Sequence, residues 1–152
     1  MDDKEVEKII EKFNLSPLEG EGGYFVLNKE LNHSNEFSHI YYLISEQSFS
    51  HLHKLTSTEI WSCVAGDVAE QLLINENGDF SLNNLSHDGF NGSISSVIDK
   101  NIWQATRLVK GGKWALFTIT VVPPYKDEIY TEATSQILNE FPHIPHLSEF
   151  IN

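Results

Sequence analysis

Apolar residues follow a helical period only near the two ends of the chain. The N-terminal set recurs among acids and lysines, and it consists of Val6, Ile9, Ile10 and Phe13. The C-terminal set ends at Pro142, and it consists of Ala133, Ile137, Leu138 and Phe141. Both sets predict amphipathic helices, because this spacing places apolar side chains on one helical face and proline ends a helix.

The stretch between these helices has the residue types and the turns of β-strands. Predicted strands cover residues 40–44, 60–64, 68–74, 80–85, 103–108 and 114–122. Turn residues separate consecutive strands at Gly66-Asp67, Asn77-Gly78 and Gly111-Gly112, and Asn-Gly is a strong hairpin signal. Successive hairpins without intervening helices favour an antiparallel barrel or sandwich. We therefore expect an all-β core with helical ends, in one domain of residues 1–152.

Composition and charge narrow the class of protein. With 40% hydrophobic residues and 21% charged residues, the chain is typical of a globular protein. Its net charge of -12 repels phosphate backbones and anionic lipids, so neither nucleic acid nor a membrane is an expected partner. The acidic N-terminus is unlike a secretory signal, and Cys63 is the single cysteine. A cytoplasmic location is therefore predicted.

The densest group of chemically useful residues lies at His51, His53 and Glu59. Alternate residues of a strand share a face, so His51 and His53 are expected to point the same way. A turn after His53 would bring Glu59 beside them on the next strand. Two imidazoles and a carboxylate suit a divalent transition metal, and they equally suit general acid-base chemistry.

The order of these residues resembles the first motif of the cupin superfamily, His-x-His, then Glu, then Gly. Here the motif reads His51-x-His53, Glu59 and Gly66, with one more residue than usual before the glutamate. Where the superfamily has a further histidine on a later strand, this chain has Gln104. The metal set that the resemblance implies is His51, His53, Glu59 and Gln104. An amide oxygen is a weaker ligand than imidazole for transition metals. We therefore expect either a divalent transition metal on this set of residues or no cofactor at all.

Further motifs occur in a consistent order at residues 21–25, 38–44, 53–61, 103–105 and 114–125, with a closing helix at 132–142. In this order they resemble a small cupin family of unknown function, cupin family five. The resemblance covers residues 15–152 and makes His53 the histidine that matches the family.

The resemblance implies a double-stranded β-helix, which is a jelly-roll barrel with a ligand pocket at one mouth, and a homodimer. Such proteins resemble sugar-nucleotide epimerases, in which a histidine removes a proton next to a ketone and a tyrosine returns one. By this resemblance His53 is the base, and the candidate acids are Tyr24, Tyr41 and Tyr42. Only one of Tyr41 and Tyr42 can enter the barrel, because neighbours on a strand face opposite sides.

We predict an isomerase or epimerase that acts on a sugar or another small polar metabolite, with His53 as the base and Glu59 as its orienting carboxylate. The side chains expected to bind this substrate are Tyr24, Phe25, Tyr41, Trp61 and Gln104. Aromatic walls are common in such pockets, although any one such ring more often fills a core or a dimer interface. Trp61 is the best candidate for the pocket, because it shares strand parity with Glu59. Two alternatives stay open: a metal-dependent dioxygenase or lyase, and a non-catalytic module that binds a metabolite.

Overall fold

Two antiparallel sheets pack face to face in the computed structural model, which describes residues 3–32 and 35–152. Helix α1 spans Asp3–Phe13, and helix α2 spans Ile137–Glu140. The strands are β1 Ser16–Pro17, β2 Tyr24–Leu27, β3 Ser38–Ser45, β4 Ser50–Leu55, β5 Thr58–Gly66, β6 Ala69–Ile74, β7 Phe80–Leu85, β8 Ser95–Ile98, β9 Trp103–Leu108, β10 Trp114–Val122 and β11 Tyr130–Glu132. Short 3-10 turns lie at Asp127–Ile129 and Leu147–Phe150.

Strand pairing is nested along the chain. Strand β3 pairs with β10, β4 with β9, β5 with β8, and β6 with β7. One sheet has the order β1-β2-β3-β10-β5-β8, and the other has the order β11-β4-β9-β6-β7. Strands β3 to β6 therefore alternate between the two sheets in chain order. Strands β7 to β10 then pair beside them in the reverse order, β7 on β6 and β10 on β3. This is a double-stranded β-helix, so the predicted all-β jelly roll is confirmed.

The predicted hairpins are correct only at Asn77-Gly78, where β6 turns directly into β7. At Gly66-Asp67 the chain crosses from one sheet to the other, since β5 and β6 belong to different sheets. The same crossing occurs between β9 and β10, after Gly111-Gly112. A turn residue specifies a change of direction, whereas the partner of each strand is set by pairing that is distant in sequence.

Both terminal segments cover the outer faces of the sheets. Helix α1 packs on Leu43 and Leu116 of the first sheet, as its apolar stripe predicts. The second predicted helix is shorter than expected, because the Ala133 N–H donates to the Leu52 carbonyl and extends the sheet instead. Helix α2 packs on the second sheet through Ile137, and the segment beyond it does so through Phe150. None of the described helices has the length and apolar character needed to cross a bilayer.

We predict that Gly23→Ala destabilises the protein more than Gly111→Ala does. Both glycines have positive φ, which costs alanine about 1 kcal/mol. A Cβ at Gly23 would also overlap the buried hydroxyl of Tyr42, whereas a Cβ at Gly111 meets open space. Chemical denaturation should therefore show a loss of more than about 2 kcal/mol for Gly23→Ala. Equal losses in the two variants would contradict this packing.

Candidate functional site

A cavity of about 590 Å³ opens between the sheets at the end of the barrel where β3 begins and β10 ends. Its size is that of a site for a small organic ligand. The walls are mainly apolar side chains of β2, β3 and β10, together with Tyr125 and Tyr130 from the segment that enters β11. Two largely buried carboxyl groups, those of Glu21 and Glu59, line the same space.

Glu21 and His53 meet at the buried side of this cavity. The side chain of His53 is fully buried, and its Nε2 lies 3.1 Å from Oε1 of Glu21. The other ring nitrogen, Nδ1, lies 2.7 Å from the carbonyl oxygen of His51. A carbonyl only accepts, so Nδ1 carries the proton, and Nε2 of the neutral ring is an acceptor. Because an ionised Glu21 is also an acceptor, the Glu21–His53 contact is favourable only when one of the two groups holds a proton.

A glycine turn places Glu21 there. Gly22 and Gly23 both have positive φ, and they lie too close to neighbouring atoms to carry a side chain. The Tyr42 hydroxyl donates a hydrogen bond to the Gly22 carbonyl, and the Gly23 N–H donates to Ser48 Oγ at 2.8 Å. The turn is therefore held directly against the core strand β3. This is the physical reason for the Glu-Gly-Gly sequence at residues 21–23.

A β-bulge in strand β4 separates the two histidines. Ser50 pairs with Thr106 and His53 pairs with Gln104, so β4 has one residue more than β9 over this step. As a result Ser50 and His53 both point into the barrel, and His51 does not share their face. The His51 ring instead packs on Phe49 at 4.4 Å. The expectation that His51 and His53 point the same way is therefore wrong.

Glu59 is held by an amide. Gln104 Nε2 donates to Glu59 Oε2 at 2.7 Å, and both side chains are buried. The spatial neighbourhood of His53, Glu59 and Gln104 that the sequence suggested is therefore present. Trp61 follows Glu59 on the same face of β5, but its ring is completely buried between Tyr42 and Phe117. It belongs to the hydrophobic core and does not line the cavity.

Burial dominates the titration of the three ionisable groups. Desolvation raises the pKa of Glu21 to about 7, although hydrogen bonds from Tyr42 and Ser50 oppose the rise. Desolvation likewise raises the pKa of Glu59 to about 7, and His53 opposes this rise. For His53 the same burial lowers the pKa of the imidazole. Near neutral pH the site therefore holds a neutral histidine and two carboxyl groups that can each gain or lose a proton.

The proposed metal set does not fit the geometry of the described residues. His51 is directed away by the bulge, and its Nδ1 lies 2.9 Å from the Glu21 carbonyl oxygen. Gln104 presents its amide N–H, not its oxygen, to Glu59. Within residues 3–32 and 35–152, no cluster of three or more His, Cys, Asp or Glu side chains is arranged to hold a metal ion. The chemistry of the site is therefore derived from its protonatable groups alone.

The remaining predicted ligand-binding residues divide between the two sides of the first sheet. Phe25 lines the cavity. Tyr24 and Tyr41 lie on the outer face, where both pack with helix α1, so their predicted place in the pocket is corrected. Tyr42, the neighbour of Tyr41, is the tyrosine that points inward and is fully buried. Strand parity explains this division, because Phe25 pairs with Tyr42 and Tyr24 with Leu43.

Sequence reasoning missed Glu21 and Tyr130 as site residues. Tyr130 stacks on the His53 ring at 5.3 Å and lines the cavity. Glu21 lies in a turn, where no periodicity predicts the direction of a side chain. The signal available for Glu21 was the adjacent glycine pair, which marks a close approach of the backbone to the core.

Comparison with known proteins gives a family and a fold. Residues 7–131 match the family described as Cupin superfamily (DUF985), and no curated protein sequence matches the chain. A hypothetical protein from Leishmania major superposes with a TM-score of 0.84 at 20% identity, covering 96% of this chain and 98% of that one. A protein from Shewanella oneidensis has a TM-score of 0.82 at 22% identity, covering 97% of each chain.

A more distant similarity is to oxalate decarboxylase from Bacillus subtilis. Its TM-score is 0.62 at 14% identity, and the match covers 92% of this chain but 36% of that chain. Identities this low show a shared fold alone, since one fold supports many chemistries.

We predict that the stability of the protein falls as pH rises from about 5 to about 7, and that Glu59→Gln reduces this slope. The folded-state pKa of Glu59, about 7, is above its ordinary value of 4.5. The folded protein therefore binds more protons than the unfolded chain in this range, and its advantage is lost as pH rises through the folded pKa. The lowered pKa of His53 acts in the opposite direction, at pH values below 6.5.

Denaturation at a series of pH values checks this. The free-energy difference between wild type and Glu59→Gln should change by up to about 3 kcal/mol across the range. Gln at this position can still accept the hydrogen bond from Gln104, so the fold is expected to persist. Glu128→Gln, which changes an exposed carboxyl group outside the cavity, is the control and should keep the wild-type profile. Parallel profiles for wild type and Glu59→Gln would contradict a raised pKa at Glu59.

We also predict that the protein, purified without chelator, contains well below one equivalent of transition metal per chain. Adding Mn²⁺ or Zn²⁺ should leave its melting temperature unchanged, because the histidines and Gln104 do not converge on one point. Elemental analysis and thermal denaturation measure both quantities. One equivalent of bound metal in the wild type would overturn this interpretation if His53→Gln both abolished metal binding and lowered the melting temperature.

Proposed function

The chain belongs to the cupin superfamily, in the family described as DUF985. We propose that it is a small-molecule enzyme of the isomerase or epimerase class. Its substrate binds in the 590 Å³ cavity. The observation that carries the proposal is the contact of 3.1 Å between Glu21 and His53 beside a second buried carboxyl group, Glu59. Groups that exchange protons near pH 7 are those that general acid-base catalysis requires.

Glu21 and Glu59 are the catalytic residues in this proposal, because both line the cavity and so reach a bound substrate. The pKa of each is about 7, so one carboxyl group can be ionised while the other is protonated. The carboxylate removes a proton from the carbon next to a carbonyl, and the electron pair moves onto the carbonyl oxygen as an enolate. The protonated partner then returns a proton to the same carbon as the carbonyl re-forms, which completes an epimerisation without any net gain or loss of atoms.

His53 acts behind Glu21 in this scheme and is a positioning residue. Its Nδ1–H is fixed on the His51 carbonyl, so Nε2 can accept the proton of Glu21 and give it back. This modifies the sequence-based assignment, in which His53 itself removes the substrate proton. Gln104 has the corresponding role for Glu59, because its amide holds one carboxylate oxygen at 2.7 Å and leaves the other for the substrate.

The test is deuterium exchange, measured by proton NMR in heavy water with a panel of aldoses, ketoses and amino sugars. We expect protein-dependent exchange at the carbon next to the carbonyl for at least one compound. Glu21→Gln should lower the exchange rate at least about 100-fold. His53→Gln should lower it less and shift its pH profile, since His53 acts through Glu21.

Glu128→Gln is the control, because it removes an exposed carboxyl group that does not line the cavity, and it should exchange at the wild-type rate. Wild-type exchange in Glu21→Gln would contradict the proposed roles. Compounds that bind without any exchange would instead favour the alternative of a non-catalytic binding module.

A further inference from the structure

The electrostatic character of the cavity is one-sided. Four acidic residues line it, namely Glu19, Glu21, Glu59 and Asp127. Among the described residues that line it, none is lysine, arginine or histidine. The whole chain has a net charge of -12, which makes the electrostatic potential in the cavity still more negative. Low-dielectric walls concentrate such a field within a cleft, so an anion is repelled and a cation is attracted.

The four acids differ in how deeply they are buried. Glu59 is 5% exposed and the Glu21 side chain is 14% exposed, so both lie toward the closed side of the cavity. Glu19 and Asp127 are exposed, which places them at the rim. The rest of the lining is mainly apolar and aromatic, and it includes Phe25. A ligand that matches this lining has an apolar body and a cationic group.

One polar atom beside the cavity has no hydrogen-bond partner among the described residues. It is the hydroxyl oxygen of Tyr130, which is buried, while other atoms of this side chain line the cavity. Buried polar atoms are nearly always satisfied in folded proteins, so each unsatisfied atom needs an explanation. Tyr130 stacks on the ring of His53, and His53 in turn contacts Glu21. The hydroxyl oxygen of Tyr130 is an acceptor for an ammonium N–H, and aromatic faces attract cations.

We infer that this cavity selects an organic cation, an amine joined to an apolar body, which Glu21 and Glu59 hold at the buried side and Asp127 attracts at the rim. The inference rests on the proposed function in using the same cavity as the substrate site. It is independent of whether that site transfers protons. A carboxylate or phosphate ester of the same size is excluded, because it would lie beside four acidic groups with no compensating charge from a described residue.

Three probes that share one apolar body test this: benzylamine, benzyl alcohol and benzoate, which are cationic, neutral and anionic near neutral pH. Binding to the full chain is measured by titration calorimetry and by the shift in melting temperature. We expect benzylamine to bind at least about tenfold more tightly than benzyl alcohol, with benzoate the weakest. Benzoate binding as tightly as benzylamine would overturn the inference, and so would the absence of benzylamine binding.

Two neighbouring residues provide a matched pair of variants. Asp127 lines the cavity, whereas Glu128 is exposed and does not line it. Asp127→Asn should weaken benzylamine binding about threefold or more and leave benzyl alcohol binding unchanged. Glu128→Gln should leave both affinities unchanged. Equal losses from the two variants would overturn the inference, because the preference would then arise from net charge and not from the cavity wall.

The outcome is separable from that of the proton-transfer test. A preference for benzoate combined with loss of exchange in Glu21→Gln would reject the cationic ligand and keep the acid-base function. A preference for benzylamine combined with normal exchange in Glu21→Gln would support the cationic ligand and reject that function. Glu59→Gln should reduce benzylamine affinity about tenfold in either case, since the carboxylate attracts the cation whether or not it transfers a proton.

Discussion

The desolvation of two carboxyl groups inside a β-barrel is the constraint on which this structure depends. A charged carboxylate that loses water without a partner is strongly destabilised, so Glu21 and Glu59 each need a fixed neighbour. Glu21 lies against His53, and Glu59 lies against Gln104. The glycine turn positions Glu21 beside His53. The bulge in β4 and the pairing of β4 with β9 position His53 and Gln104.

Much of the fold was predictable from the sequence because it depends on local periodicity. The apolar stripe of residues 6–13 predicted helix α1, and runs of strand-forming residues between turns predicted most core strands. The neighbourhood of His53 and Glu59 also followed from strand parity and from the cupin resemblance. Parity alone could not show which of Tyr41 and Tyr42 enters the barrel. Both faces of β3 are covered, one by helix α1 and the other by the second sheet, so both faces carry apolar residues.

The rest was not predictable because it depends on local irregularities and distant pairing. The bulge that turns His51 away adds a single residue to β4, and no residue type at that position requires it. Glu21 reaches the cavity from a turn, so its direction is set by the contact of the turn with Tyr42. The crossings at Gly66-Asp67 and Gly111-Gly112 look like hairpins locally, since the sequence around a turn does not encode which sheet the next strand joins.

The nested pairing also implies an order of assembly. Strands β6 and β7 are joined by a short loop, whereas β3 and β10 join residues as distant as Ser38 and Val121. Closing a longer loop costs more chain entropy, so we expect zipping to begin at the inner hairpin and to finish at the outer pair. The cavity opens between the sheets at the end of the barrel where β3 begins and β10 ends. A molecule bound at its mouth would contact both strands of that outermost pair, so binding would stabilise the pairing that closes the barrel.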